Sequence, residues 1–148
     1  MVISVASGSG YAIGSPSSAT ATIVNDDFPT VSITVSPSSV PEDGAANLIY
    51  TVLLDQAAQS AVSIAFSVGG SATSGTDYAA VSSPLTIPAG QTSSTITINP
   101  TADATIEADE TVVISLAAGS GYSVGSPNSA TGTIANDDHR RCGSTTYP

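Results

Sequence analysis

Residues 113–138 read VISLAAGSGYSVGSPNSATGTIANDD, and residues 2–27 read VISVASGSGYAIGSPSSATATIVNDD. Nineteen of the 26 aligned positions are identical, at an offset of 111 residues. Each copy is an apolar strand, a Gly-Ser-Gly turn and a second strand closed by Asn-Asp-Asp. An offset of that length is the size of one sandwich domain, and self-similarity at a fixed period is the signature of a repeat architecture. The simplest reading makes residues 1–27 the last two strands of a preceding module, 28–138 a complete module and 139–148 a tail. On that reading Met1 is a start imposed on a longer array. A single domain with two similar hairpins is the alternative, and the extent of the identity argues against it.

Between the copies the pattern is that of short strands with a period of two. Val31, Ile33 and Val35 alternate with Ser and Thr. Leu48, Tyr50, Val52 and Leu54 mark a second strand, and Val62, Ile64, Phe66 and Val68 a third. Leu85 with Ile87, Ile96 with Ile98, Val112 with Ile114 and Leu116, and Thr131 to Ala135 continue the series to seven. Clusters of Ser, Gly, Pro and Asp separate them, as turns require. No stretch keeps a 3.6-residue period. The expected fold is therefore an all-β, seven-stranded sandwich preceded by a two-strand remnant.

Composition narrows function. Twelve acids face two bases, for a net charge of −10, and apolar residues make up 41% in short runs, which argues against disorder. A chain so charged repels phosphate backbones and anionic lipid, so neither nucleic acid nor a membrane surface is an expected partner. No apolar run approaches the 18–20 residues needed to span a bilayer, and residues 1–14 lack the basic start of a signal peptide. A single Cys142 makes no internal disulfide. The tail HRRCGSTTYP holds the only His, the only Cys and both Arg, and carries no expected function.

Eleven of the twelve acids fall in recurring groups in turns or at strand ends; Asp55 is the exception. Glu42 and Asp43 precede the second strand, and Asp77 lies in Gly75-Thr76-Asp77-Tyr78. Asp103, Glu107, Asp109 and Glu110 occupy the turn before the sixth strand, and Asp137 and Asp138 end the seventh, with Asp26 and Asp27 as counterparts. Two carboxylates about 5 Å apart repel by roughly 3 kcal/mol at an effective dielectric near 20. Loops of like charge converge only around a cation. Calcium, which takes 6–8 oxygen ligands in flexible geometry, suits Asp and Glu on loops better than magnesium does. No His or Cys lies among the acids, which disfavours zinc. The bland alternative is that the acids solubilise loops and discourage edge pairing.

Taken in order, Val40-Pro41-Glu42-Asp43-Gly44, GSATSGTDY (70–78), IPAGQTSSTITI (87–98), ADATIEADE (102–110) and Asn136-Asp137-Asp138 resemble the Calx-beta module. The resemblance covers residues 30–138 as a whole module and 2–27 as the end of another. It implies an immunoglobulin-like sandwich that binds calcium at one end through Glu42, Asp77, Asp103, Glu107, Asp137 and Asp138, with Glu110 as a further ligand. Ala102 and Asn136 stand where calcium-regulated exchanger modules carry acids, so the resemblance implies one or two ions rather than four. An exchanger's regulatory role is not carried over.

Catalysis is not expected. Nucleophilic catalysis needs a base beside its nucleophile, and the only His lies in the tail. Glycoside hydrolysis by paired carboxylates lacks an aromatic platform, with aromatics at 5% and no Trp. The Gly-Ser-Gly turns have no Lys to reach a phosphate. The expected function is a calcium-rigidified repeat of a secreted or cell-surface, bacterial protein, a stalk or adhesion scaffold contacting neighbouring repeats. A self-associating fibre subunit, in which another chain completes the strands of 2–27, is the alternative from a different class; a calcium-sensing switch is a third.

Overall fold

The computed structural model describes residues 1–23 and 27–138. Among the described residues, strands β1 (Val2–Ser4) and β2 (Ser18–Thr20) pair only with each other, as an antiparallel ribbon. The rest is a sandwich of two four-stranded sheets. One has the order β4 (Ser39–Pro41), β12 (Ser129–Ala135), β10 (Glu110–Leu116), β7 (Phe66–Gly70). The other has the order β11 (Ser123–Val124), β3 (Thr30–Val35), β5 (Leu48–Leu54), β9 (Ser93–Ile98). A short pair, β6 (Val62–Ile64) with β8 (Leu85–Ile87), flanks them.

The alternating apolar positions face inward as expected: Val31, Ile33, Leu48, Tyr50, Val52, Val112 and Ile114 are fully buried between the sheets. Burying apolar faces of this kind contributes roughly 1.5–3 kcal/mol per large side chain. Where the sequence shows one run, 62–68, the chain changes sheet at Ala65 and forms β6 and β7. The alternation Val62, Ile64, Phe66, Val68 runs through the break, so periodicity could not reveal it. Tyr122 makes the break possible. Its hydroxyl accepts from the Ala65 N–H at 3.1 Å and donates to the Ala117 carbonyl at 2.7 Å. The first strand is likewise continued in the opposite sheet by β4, which pairs parallel with β12.

Tyr50 joins the sheets across the core. From β5 its hydroxyl donates to the Val112 carbonyl at 2.6 Å and accepts from the Gly132 N–H at 3.0 Å, both in the facing sheet. Gly132 suits that position, because a Cβ would lie 2.7 Å from the Tyr50 Oη and 2.7 Å from Leu48 Cδ1, so that one of these buried side-chain ends would have to shift. Gly70, at φ +117°, is similarly constrained against the Thr111 carbonyl of β10.

The topology sets the poles. Strands β4 and β12 run parallel and end together, with Pro41 beside Ala135. Strand β10 is antiparallel to both β12 and β7, so it begins where they end. The loops after β4, β7 and β12 and the turn before β10 therefore share one pole. Strand β3 begins at the other, where Asp55, the acid outside the groups, accepts from the Thr30 N–H at 2.7 Å.

Replacing Tyr50 with Phe leaves the Gly132 N–H and Val112 carbonyl without the phenol in a dry core. An unfolding free energy lowered by about 1–3 kcal/mol is expected in urea titration; an unchanged midpoint contradicts the role assigned to the hydroxyl.

Candidate metal centre

Each acid reaches the pole for a local reason. Glu42 leaves β4 with its N–H bonded to the Ala135 carbonyl at 3.0 Å, and its side chain is buried. Asp77 sits in a self-closed loop: its N–H donates to the Thr73 carbonyl, its Oδ2 accepts from the Thr73 N–H, and its carbonyl accepts from Thr101 N–H. Gly75, at φ +86°, allows that reversal. Asp103 accepts from the Thr105 N–H two residues on, at 2.6 Å, an Asx turn that shapes the acidic segment before β10.

The side chains then meet. Carboxylate oxygens of Asp77, Glu107 and Glu110 lie within 4.8 Å of one another. Burial pushes the Glu110 carboxyl up to about 7, helped by a hydrogen bond with Asp77 and by the charges of Asp77, Glu107 and Glu42. Glu42 is raised by burial first, then by Asp103, Glu107, Asp138 and Asp43. Asp43 is raised by lost hydration, then by Asp137, Asp138 and Asp103, and its exposed N–H donates to Asp137 Oδ1 at 3.3 Å. Glu107 thus acts on both Glu42 and Glu110, linking the Asp77 side of the pole to the Asp138 side.

All seven acids anticipated as ligands, Glu42, Asp77, Asp103, Glu107, Glu110, Asp137 and Asp138, therefore belong to one electrostatic cluster. Asp43, which is not among those seven, joins them; its adjacency to Glu42 is the sequence signal for it. Asp109 does not share the role of its neighbours: its Oδ1 accepts from the Asn136 N–H at 3.2 Å and tethers the end of β12. Asn136, expected only as a missing acid, brackets Asp138. Its Nδ2 donates to the Asp138 carbonyl at 3.3 Å and its Oδ1 accepts from the Asp138 N–H at 3.2 Å. Asp26 lies outside the described residues.

Residues 1–23 and 27–138 contain no Lys, Arg or His, since His139, Arg140 and Arg141 lie beyond them. Among the described residues the Asp138 Oδ2 is buried without a hydrogen-bond partner. Buried polar atoms are almost always satisfied, and an orphaned carboxylate oxygen in an acidic cluster has the lone pairs free for a cation. The donors are carboxylate oxygens on loops and at the start of β10, a kind of donor that a hard divalent cation takes. The residues present fit such an ion.

The chain matches known proteins over this module. The family model described as Calx-beta domain covers residues 24–138. Among solved structures, the apo-form CBD1 domain of Calx matches at 24% identity and a TM-score of 0.62, covering 76% of this chain and all of that one. CBD12 from CALX1.2 matches at 26% identity and a TM-score of 0.60, covering 72% of this chain but 44% of that one. The calcium binding domain CBD12 of CALX1.1 matches at 25% identity and a TM-score of 0.61, covering 73% and 45%. This chain thus spans less than half of the two CBD12 chains. No curated protein matches it.

In chelator, the raised Glu110 carboxyl sets the sign of a pH dependence. The group is protonated in both states below pH 4.5, whereas above about 7 the folded state alone holds a charge it resists. The melting temperature of metal-free protein is expected to fall as pH rises from 4.5 to 7, and Glu110→Gln to flatten that slope. A melting temperature that rises steadily across this window in chelator contradicts the crowding.

Proposed function

The chain belongs to the Calx-beta family, and from that membership we propose that the acid pole of residues 28–138 binds one or two calcium ions and that the module is a structural repeat. The single observation that carries this reading is the gathering of eight acids, Asp43 included, at one pole, with no basic side chain among the described residues. Glu42, Asp103, Glu107 and Asp138 would hold an ion on one side, and Asp77, Glu107 and Glu110 on the other, with Asp43 and Asp137 at the rim. Calcium supplies the positive charge that lets the carboxylates ionise together without mutual repulsion. The solved structure described as a calcium binding domain, CBD12 of CALX1.1, supports the choice of ion.

The role is mechanical rather than catalytic. Because the four acidic segments come from different strands of the sandwich, an ion held among them ties those ends together and resists their separation. A ligand bound only by the folded state stabilises by mass action, about 2.7 kcal/mol at a hundred times its Kd. A secreted or cell-surface location suits such a module, since extracellular calcium modules work at dissociation constants of roughly 0.1–1 mM. In a stalk or adhesion scaffold the partners are calcium and the neighbouring repeats.

Calorimetric titration with calcium is expected to give a saturable heat and a melting temperature several degrees above that in chelator; the absence of both overturns the proposal. Glu107→Gln is expected to weaken affinity by roughly tenfold or more, because ligand charge sets affinity in calcium sites. Asp109→Asn, whose carboxylate holds Asn136, is expected to change it far less. Equal losses in the two variants contradict the assignment of Glu107.

A further inference from the structure

The ribbon at residues 1–23 reproduces the closing hairpin of the sandwich in structure as well as sequence. Val2 pairs with Thr20, Ile3 with Ala19 and Ser4 with Ser18, the register of Val113 with Thr131, Ile114 with Ala130 and Ser115 with Ser129. Tyr11 donates to the Ala6 carbonyl at 2.6 Å, as Tyr122 does to Ala117 at 2.7 Å. What differs is cover. Ile3, Val5, Tyr11 and Ile23 are 61, 58, 55 and 86% exposed, whereas Ile114, Leu116, Tyr122 and Ile134 are 0, 8, 5 and 4% exposed. The copy inside the sandwich shows what covers such a hairpin: the faces of β3 and β5, with β7 and β4 at its two edges.

The sandwich of residues 28–138 is not that cover for its own ribbon: the place of the hairpin between β4 and β7, over β3 and β5, is already filled by β10 and β12. A second copy of the chain is disfavoured by one methyl group. Ala21 corresponds to Gly132, and a Cβ there meets Leu48 Cδ1 and Tyr50 Oη at 2.7 Å, with the Tyr50 hydroxyl held by two hydrogen bonds.

We propose that residues 1–23 are the preformed closing hairpin of a different Calx-beta module, one whose core leaves room for a methyl where Leu48 and Tyr50 leave none, and that the Ala21/Gly132 difference keeps the hairpins of neighbouring repeats from exchanging. The occupant is a sandwich of this family lacking its last strands. The inference rests on reading 1–27 as part of a repeat and is independent of calcium, so its test is run in chelator.

The chain as it stands is expected to sediment as a monomer, with rapid amide exchange in residues 1–23; self-association through those residues overturns the proposal. A second copy of residues 28–112 is then joined directly to Val2, giving the ribbon the strands of this module. Two thermal transitions are expected, the lower from the new module, and Ala21→Gly should raise the lower by several degrees while leaving the upper unchanged. Amides of residues 1–23 that stay unprotected in the Ala21→Gly form refute the ribbon as a closing hairpin. Equal lower transitions with Ala and Gly refute the discrimination.

Discussion

Like charges brought together by strand ends are the constraint on which this structure turns. The sandwich topology puts the acid-bearing loops at one pole: β4 and β12 end side by side, β10 starts against β12, and β7 ends against β10. Acids in the flanking loops therefore share that pole. The energy of the core and the repulsion of the pole oppose one another. A divalent ion bound at the pole would remove a penalty already built into the folded state, which is why the proposed binding needs no moving parts.

Local hydrogen bonds shape the segments of the pole. Asp77 is fastened to Thr73 and Asp138 is bracketed by Asn136, so the local backbone that aims each carboxylate is fixed. Asp109 gives up its carboxylate to Asn136 and steadies the residue that positions Asp138. Such outer contacts orient donors in metal sites generally. The departures from the acidic pattern at Asn136 and Ala102 thus have different consequences, the first supplying support and the second simply lowering the charge.

Much of this was legible in the residues. Period-two alternation placed the buried faces of β3, β5 and β10, and loop-borne acids indicated the pole because no strand carried them on an exposed face. The change of sheet at Ala65 was not legible, since the apolar alternation continues through it and the decisive partner, Tyr122, lies 57 residues away. The separate fates of Asp109 and Glu110 were equally hidden. They are adjacent in one acidic turn, and only the pairing of Glu110 with Ile134 in the ladder decides which turns toward Asp77. Gly132 showed in sequence as one of seven differences between the copies, but its meaning required Tyr50 from the opposite sheet.

The most direct measurement is a crystal structure of residues 28–138 grown with calcium and recorded for anomalous scattering. The account predicts one or two peaks inside the acid pole, with oxygens of Glu42, Glu107 and Asp138 at calcium-ligand distances of about 2.3–2.6 Å. A map without density at the pole, with those carboxylates swung apart into water at saturating calcium, would contradict it.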